Sequence, residues 1–343
     1  MKIRQLIAAL FTILLLPILM VNASCSNKGA DVHHLKLWTD MSETAWQAEP
    51  IKRFVVNVRE KTSGRVTVTP YWSGSLAPAK ESVDSLKGGL IDLGLFATMY
   101  SPGEFPVSDI AGLPFQVSSP YGVVKGLRKL YAEGLLPEYD GKGFKLLDFS
   151  APGMQYLLFR DKQVDTLTQF NGLKIRSQTS VTVEMLKAFG ATPVAMAGTD
   201  LYMSIDRGVI DGLLSSPGYM APTRLYEVAK FFLDEPLYCG NSFIAMNQNT
   251  WDSLPADLQE ILLGCAKTFN ADWLETSIQA ENKDNKDILR ENGITFYTLM
   301  PGELEKMKKA TTPIIEEFIK NMNSLGFQGQ KIVDVFKAAQ ADQ

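Results

Sequence analysis

Ser85-Leu86-Lys87-Gly88-Gly89-Leu90-Ile91-Asp92 and Ser204-Ile205-Asp206-Arg207-Gly208-Val209-Ile210-Asp211 carry one pattern twice in a chain of 343 residues. In each, a helix ends at glycine and a strand opens with two aliphatic residues and an aspartate. Before the first copy, Leu35–Trp38 and Arg65–Thr69 alternate as strands. Between them Ile51, Phe54, Val55 and Val58 keep helical spacing up to Gly64. A short helix over Glu81–Lys87 then leads into the apolar run Leu90–Phe96. Around the second copy, Phe144–Phe149, Tyr156–Arg160 and Leu173–Arg176 read as strands. Helices are expected over Ser180–Phe189, closed by Gly190, and Asp200–Arg207. Strands and helices in alternation are the grammar of an α/β fold. The repetition favours two similar lobes over one large sheet.

The last third reads as helical. Pro255 suits a helix start, and Leu258, Ile261, Leu262, Cys265, Phe269 and Trp273 form one apolar stripe. Amphipathic stretches follow at Glu275–Glu291 and Glu303–Met322, with a short strand at Ile294–Tyr297 between them. Without a Pro/Gly-rich linker, the lobes are expected to share several chain crossings. The expected organisation is lobe 1 over 31–150, completed by 239–280, and lobe 2 over 151–238, completed by 281–338.

Lys2 and Arg4 precede an apolar run from Leu6 to Met20, followed by Ala23 and Ser24. That is the pattern of a secretory signal peptide over 1–23, and the run is too short for the ~20 apolar residues of a spanning helix. Cleavage after Ala23 gives a free periplasmic protein; lipidation at Cys25 is the alternative, weakened by Asn22 where an aliphatic residue belongs. Removing Lys2 and Arg4 leaves 32 basic against 38 acidic residues, a net charge of −6. Nucleic acid and anionic membrane, which need a basic footprint, are therefore not expected partners. Cys239 and Cys265 are expected as buried thiols, with a disulfide as the alternative.

Catalysis is constrained by what the chain lacks. Its two histidines, His33 and His34, lie beside the cleavage region, so a Ser-His-Asp or Cys-His site deep in the fold has none to use. No Cys-x-x-Cys occurs, and Gly141-Lys142-Gly143 lacks the rest of a phosphate loop. No cofactor or metal is expected, and a binding role is preferred to an enzymatic one. Asn171-Gly172-Leu173-Lys174-Ile175-Arg176 is the informative constellation. Ile175 alternates with its basic neighbours, so the strand buries one face and ends in a guanidinium. In α/β lobes ligands sit beyond the carboxyl ends of strands, where an arginine fork pairs two ways with a carboxylate.

Several blocks in order resemble the solute-binding proteins of tripartite ATP-independent periplasmic (TRAP) transporters, the DctP family. They are Lys61–Val66, Trp72–Leu76, Leu113-Pro114-Phe115, Gly172–Arg176, Gly208–Gly212 and Leu254–Gln259, spanning nearly the whole mature chain. The resemblance implies a two-lobed periplasmic-binding-protein-like fold, each lobe a mostly parallel sheet flanked by helices, with a long helix spanning both. It implies lobe closure on a small organic acid, Arg176 gripping its carboxylate, and delivery to integral TRAP permease subunits. A monomer is expected. Gln155 stands where many members carry a second arginine, Leu213–Pro217 where an asparagine is common, and Gly198 where an aromatic residue often lies. These departures favour a monocarboxylate, such as a 2-oxo or hydroxy acid with an apolar or aromatic tail, and Gln155 and Ser215 are further candidate ligand contacts. Trp38, Phe96 and Tyr219 are the aromatic candidates for such a tail, Phe96 and Tyr219 foremost; Tyr156 is expected in the core. A binding protein for an ATP-driven importer or a sensor kinase, and an exported carboxylate-dependent enzyme, are the rival functions.

Overall fold

The computed structural model describes residues 32–45, 47–177, 179–196, 198–279 and 284–340. The expected signal peptide and Cys25 lie outside them. Among the described residues, eleven strands make two sheets flanked by helices, the two-lobed α/β architecture. The first sheet contains β1 (His33–Trp38), β2 (Val66–Tyr71), β3 (Leu93–Ala97) and β4 (Phe144–Ser150), with β10 (Ser242–Asn247) inserted, in the order β2-β1-β3-β10-β4. The second contains β5 (Gln155–Phe159), β6 (Lys174–Ser177), β7 (Thr192–Ala195), β8 (Gly212–Ser215), β9 (Phe231–Tyr238) and β11 (Thr295–Tyr297), in the order β11-β9-β5-β8-β6-β7.

Both sheets are mostly parallel, and each holds one reversed strand: β10 in the first and β5 in the second. The reversal has a mechanical cause. The chain leaves β4 and enters β5 after residues 151–154, and leaves β9 for β10 after 239–241. Four extended residues reach no more than ~14 Å, so each crossing must land on the facing edge of the other sheet. A strand entered at that edge necessarily runs against its neighbours.

The helices follow from local sequence. In α1 (Ala48–Lys61), Ile51, Phe54 and Val58 are buried, and the chain turns out through Ser63 and Gly64, both at positive φ. In the loop after α2 (Ser82–Lys87), the Ser85 carbonyl accepts from Leu90 and Ile91; in the loop after α5 (Leu201–Asp206), the Ser204 carbonyl accepts from Val209 and Ile210. The repeated octapeptide is therefore a repeated structure. α3 (Pro120–Ala132) begins at Ser119, whose hydroxyl accepts from Gly122 N–H at 3.1 Å. α4 (Ser180–Ala188) is capped in the same way by Thr179.

Past β8, α6 (Pro217–Met220) is a single turn, and α7 (Gln248–Asp252) follows β10. α8 (Ala256–Gln279) buries Leu258, Leu262, Cys265, Phe269 and Trp273 against α1 and β4 of the first lobe. α9 (Asn285–Glu291) packs on α6, and its Lys286 Nζ bonds Asp234 Oδ1 of β9 at 2.5 Å. Together α8 and α9 carry the chain from one lobe to the other. α10 (Glu303–Ser324) lies on α4, whereas α11 (Gly329–Ala338) returns to pack on α3. That last helix, expected with the second lobe, sits on the first because Gly126 leaves room for the fully buried Phe336 ring.

Cys239 and Cys265 are both buried and no disulfide joins them.

Candidate functional site

The crossings bring the carboxyl ends of both sheets into opposition. They are also tied to each other and to α8: Cys239 Sγ donates to Pro152 O at 3.0 Å, and Trp273 Nε1 donates to Ala151 O at 2.9 Å. One edge of the second sheet thus presents the ends of β6, β7, β8 and β9 together with the start of β5.

Arg176 stands on that edge. Its strand is set by the alternation of exposed Lys174 and buried Ile175, and Arg176 itself is half-buried. Arg176 Nη1 donates to Leu214 O at 3.2 Å, and Nε makes a longer contact with Met196 O at 3.5 Å. Two main-chain carbonyls therefore hold the guanidinium, while three of its five N–H groups stay uncommitted to them. Among the described residues no carboxylate forms an ion pair with it. Burial lowers its pKa from the usual arginine value, and the nearby phenols of Tyr238, Tyr219 and Tyr100 act against that shift. A group that starts so basic remains a cation at every physiological pH.

The neighbours come from both lobes. Tyr100 follows β3 of the first lobe, and burial, with Asp40 adding to it, pushes its phenol up to about 12. Tyr100 also hydrogen-bonds Asp40, whose carboxyl burial raises above the usual range. Tyr219 lies on α6 and is 37% exposed, at the mouth of the cluster. A Cβ placed on Gly198 would stand 2.7 Å from the Tyr219 hydroxyl. An aromatic group thus reaches the space beside Gly198 from another element. Tyr238 ends β9 and is buried, and burial holds its phenol well above the ordinary value.

Gln155 opens β5 opposite Tyr238 in the register; it is buried, and its Nε2 donates to Gly153 O at 3.0 Å. Ser215 ends β8. Arg176 pairs with Leu213, two residues earlier on β8, so Ser215 shares the Arg176 face of the sheet. Trp38 and Phe96 lie elsewhere: their rings stack at 5.4 Å, Phe96 meets Phe243 at 5.5 Å, and Trp38 Nε1 donates to Ala77 O at 2.9 Å. Both are enclosed in the first lobe's packing, and no described ring contact or hydrogen bond brings either to Arg176. Tyr156 is buried beneath Lys286, whose ammonium sits 4.4 Å from the ring centroid.

Tyr100 and Tyr238 were not legible as site residues. Each ends or follows a strand whose partner edge is fixed only by the crossings. A separate groove of about 340 Å³, walled by Pro114, Phe115, Gln116, Lys308 and Thr312 among others, contains none of the groups gathered at Arg176. No helix among the described residues is long and apolar enough to cross a membrane.

Residues 39–321 match the model of the DctP family, described as bacterial extracellular solute-binding protein, family 7. The 2,3-diketo-L-gulonate-binding periplasmic protein YiaO of Escherichia coli K12 is 24% identical over 87% of this chain and 89% of its own length. The C4-dicarboxylate-binding periplasmic protein DctP of Rhodobacter capsulatus is 27% identical over 82% and 83% respectively. In fold, the chain is similar to a marine metagenome TRAP solute-binding protein specific for aromatic acid ligands. That likeness has a TM-score of 0.80 at 24% identity and covers 91% of this chain and 100% of the other. With a match over most of its length, this chain belongs to the DctP family of bacterial extracellular solute-binding proteins.

Proposed function

We propose that the protein captures a monocarboxylate with an apolar or aromatic tail between its lobes and hands it, unconverted, to integral TRAP permease subunits. The observation that carries this is the Arg176 guanidinium, held by two carbonyls at a strand end and without a carboxylate partner among the described residues. Charge-assisted hydrogen bonds to a ligand carboxylate supply the missing partner, and they strengthen as lobe closure removes water. Tyr100 from one lobe and Tyr219 from the other offer aromatic walls, so a ligand touching both favours the closed state. Ser215 adds a polar group on the Arg176 face, and Gln155 adds another at the start of β5 on the same edge. The aromatic-acid specificity of the solved relative supports the tail assignment. The moving bodies are 31–150 with 239–280 and the returning α11, and 151–238 with α9, β11 and α10, hinged at the crossings, and the unit is a monomer released to the periplasm after cleavage at Ala23.

A thermal-shift screen tests this. Ligands that bind only the native state raise the melting temperature by mass action. Carboxylic acids with apolar or aromatic tails should raise it, and the corresponding primary amides should not. Equal shifts from acids and amides would remove the carboxylate from recognition.

A further inference from the structure

Leu113, Phe115 and Val117 occupy alternate positions of one loop, yet they do not share a core. Leu113 and Val117 are buried in the cluster that holds the first sheet, with Trp38, Phe96 and Phe149. The Phe115 ring packs instead on a separate cluster of the second lobe that contains Leu157 and Leu237, and its centroid lies 6.5 Å from that of Phe189. Phe115 N–H donates to Leu237 O of β9 at 2.7 Å, just ahead of the 239–241 crossing. The next residue is tied the other way. Gln116 O accepts from Gln340 Nε2 at 3.1 Å, just beyond the helix α11 that packs on the first lobe. Adjacent residues thus commit their main-chain groups to opposite lobes. Phe115 is also held at φ 57°, in the left-handed region. A bulky residue stays there only when its surroundings over-determine it.

Beside this loop runs the groove of about 340 Å³, with Pro114, Phe115 and Gln116 on one wall and Lys308, Thr312 and Ile315 of α10 on the other. Because α10 lies on α4, that second wall belongs to the second lobe. Close-packed interiors do not yield to rotation, so one lobe can turn against the other only where there is such clearance. Resting on the capture reading, in which the lobes close on a solute, we propose that Phe115 is a pivot. Its ring, sent from the first lobe and seated in the second, is the point about which the lobes turn, and the groove is the clearance for that turn. Extended crossings can bend at every φ and ψ, whereas a seated ring cannot leave without losing its contacts. A contact kept in both states favours neither of them; it restricts the path between them.

The test reads lobe geometry without any ligand. Nitroxides on Glu60→Cys in the first lobe and Lys162→Cys in the second, both exposed positions, report the distance between lobes by pulsed electron resonance. Cys25→Ser in the same background leaves the buried Cys239 and Cys265 as the native thiols. Phe115→Ala, which empties the seat, should widen the distance distribution about twofold, and Phe115→Leu, which refills it, should restore the parental width. A width unchanged by Phe115→Ala overturns the pivot. A move to a second, equally narrow distance overturns it too, since the contact would then be a latch that only one state keeps. Thr312→Trp decides the matter should Phe115→Ala not fold. An indole filling the groove from that exposed position should shift the mean distance, and an unshifted mean overturns the clearance and the pivot with it. Calorimetry with benzoate and 3-phenylpropanoate on the parent and Arg176→Lys separates the two ideas. A Phe115 effect on the distances without acid binding contradicts the capture reading alone, and Arg176-dependent acid binding without a Phe115 effect contradicts the pivot alone.

Discussion

Asp92 and Asp211 hold equivalent stations in the two sheets. Asp92 Oδ2 accepts from Lys36 N–H at 2.8 Å while its own N–H donates to the Lys36 carbonyl at 3.1 Å. Asp211 does the same with Lys174, at 2.8 Å and 2.7 Å. Each aspartate ties the start of one parallel strand to its neighbour, β1 to β3 and β6 to β8. The second pair fixes the strand that carries Arg176 two residues later.

Asp92→Ala and Asp211→Ala should therefore both destabilise the fold, by about 1–3 kcal/mol for each hydrogen bond to a charged group, Asp92→Ala the more because Asp92 Oδ1 also accepts from Thr250 Oγ1 at 3.2 Å. Urea unfolding of the two variants checks this. Asp211→Ala should in addition weaken acid binding, since β6 loses its clamp. A loss in one variant only would contradict the shared role.

Asp40 gives a pH signature. Burial raises its carboxyl in the folded protein, with the Tyr100 hydrogen bond opposing. The folded state then binds the proton more tightly than the unfolded chain. Stability accordingly falls as pH rises from about 4, the unfolded value, through the raised folded value. Asp40→Asn removes that penalty, so it should melt higher than the parent at pH 7, and the difference should vanish below about pH 4. A lower melting point at pH 7 would show that the charged form is favoured.

Gly329 packs against the backbone of α10 at Ile319, and Gly126 against the buried ring of Phe336. A methyl group at either place forces a shift in well-packed surroundings, at about 1–3 kcal/mol. Gly329→Ala should be the costlier, because main-chain atoms cannot rotate aside. Thermal melts of the two variants check the order. Neither should alter the dependence of binding on Arg176.

Much of the fold was readable because local pattern and final structure agree. The octapeptide echo, the alternation in β1, β2 and β6, and the apolar stripe of α8 each report a half-buried element directly. β9 and β10 were not. Within β9 the sequence Asp234-Glu235-Pro236 reads as a turn, and the structure uses it as an irregularity in the pairing with β5, where the proline costs no regular ladder bond. β10 is buried at every position between β3 and β4, so it carries no alternation to reveal it. Of the site, Arg176 stood out because it follows a buried isoleucine at a strand end. Tyr100 and Tyr238 join it only through the facing of two edges, which the short crossings impose and no local pattern records. Trp38 ends β1 and Phe96 is the penultimate residue of β3, yet their rings turn into the first lobe's packing.

The central claim is that one guanidinium anchors the solute. Titration calorimetry of the parent and Arg176→Lys, with the acid that gives the largest thermal shift, tests it most directly. Lysine keeps the charge but not the planar fork, so affinity should drop at least tenfold, about 1.4 kcal/mol. An unchanged dissociation constant would mean that the carboxylate is held elsewhere.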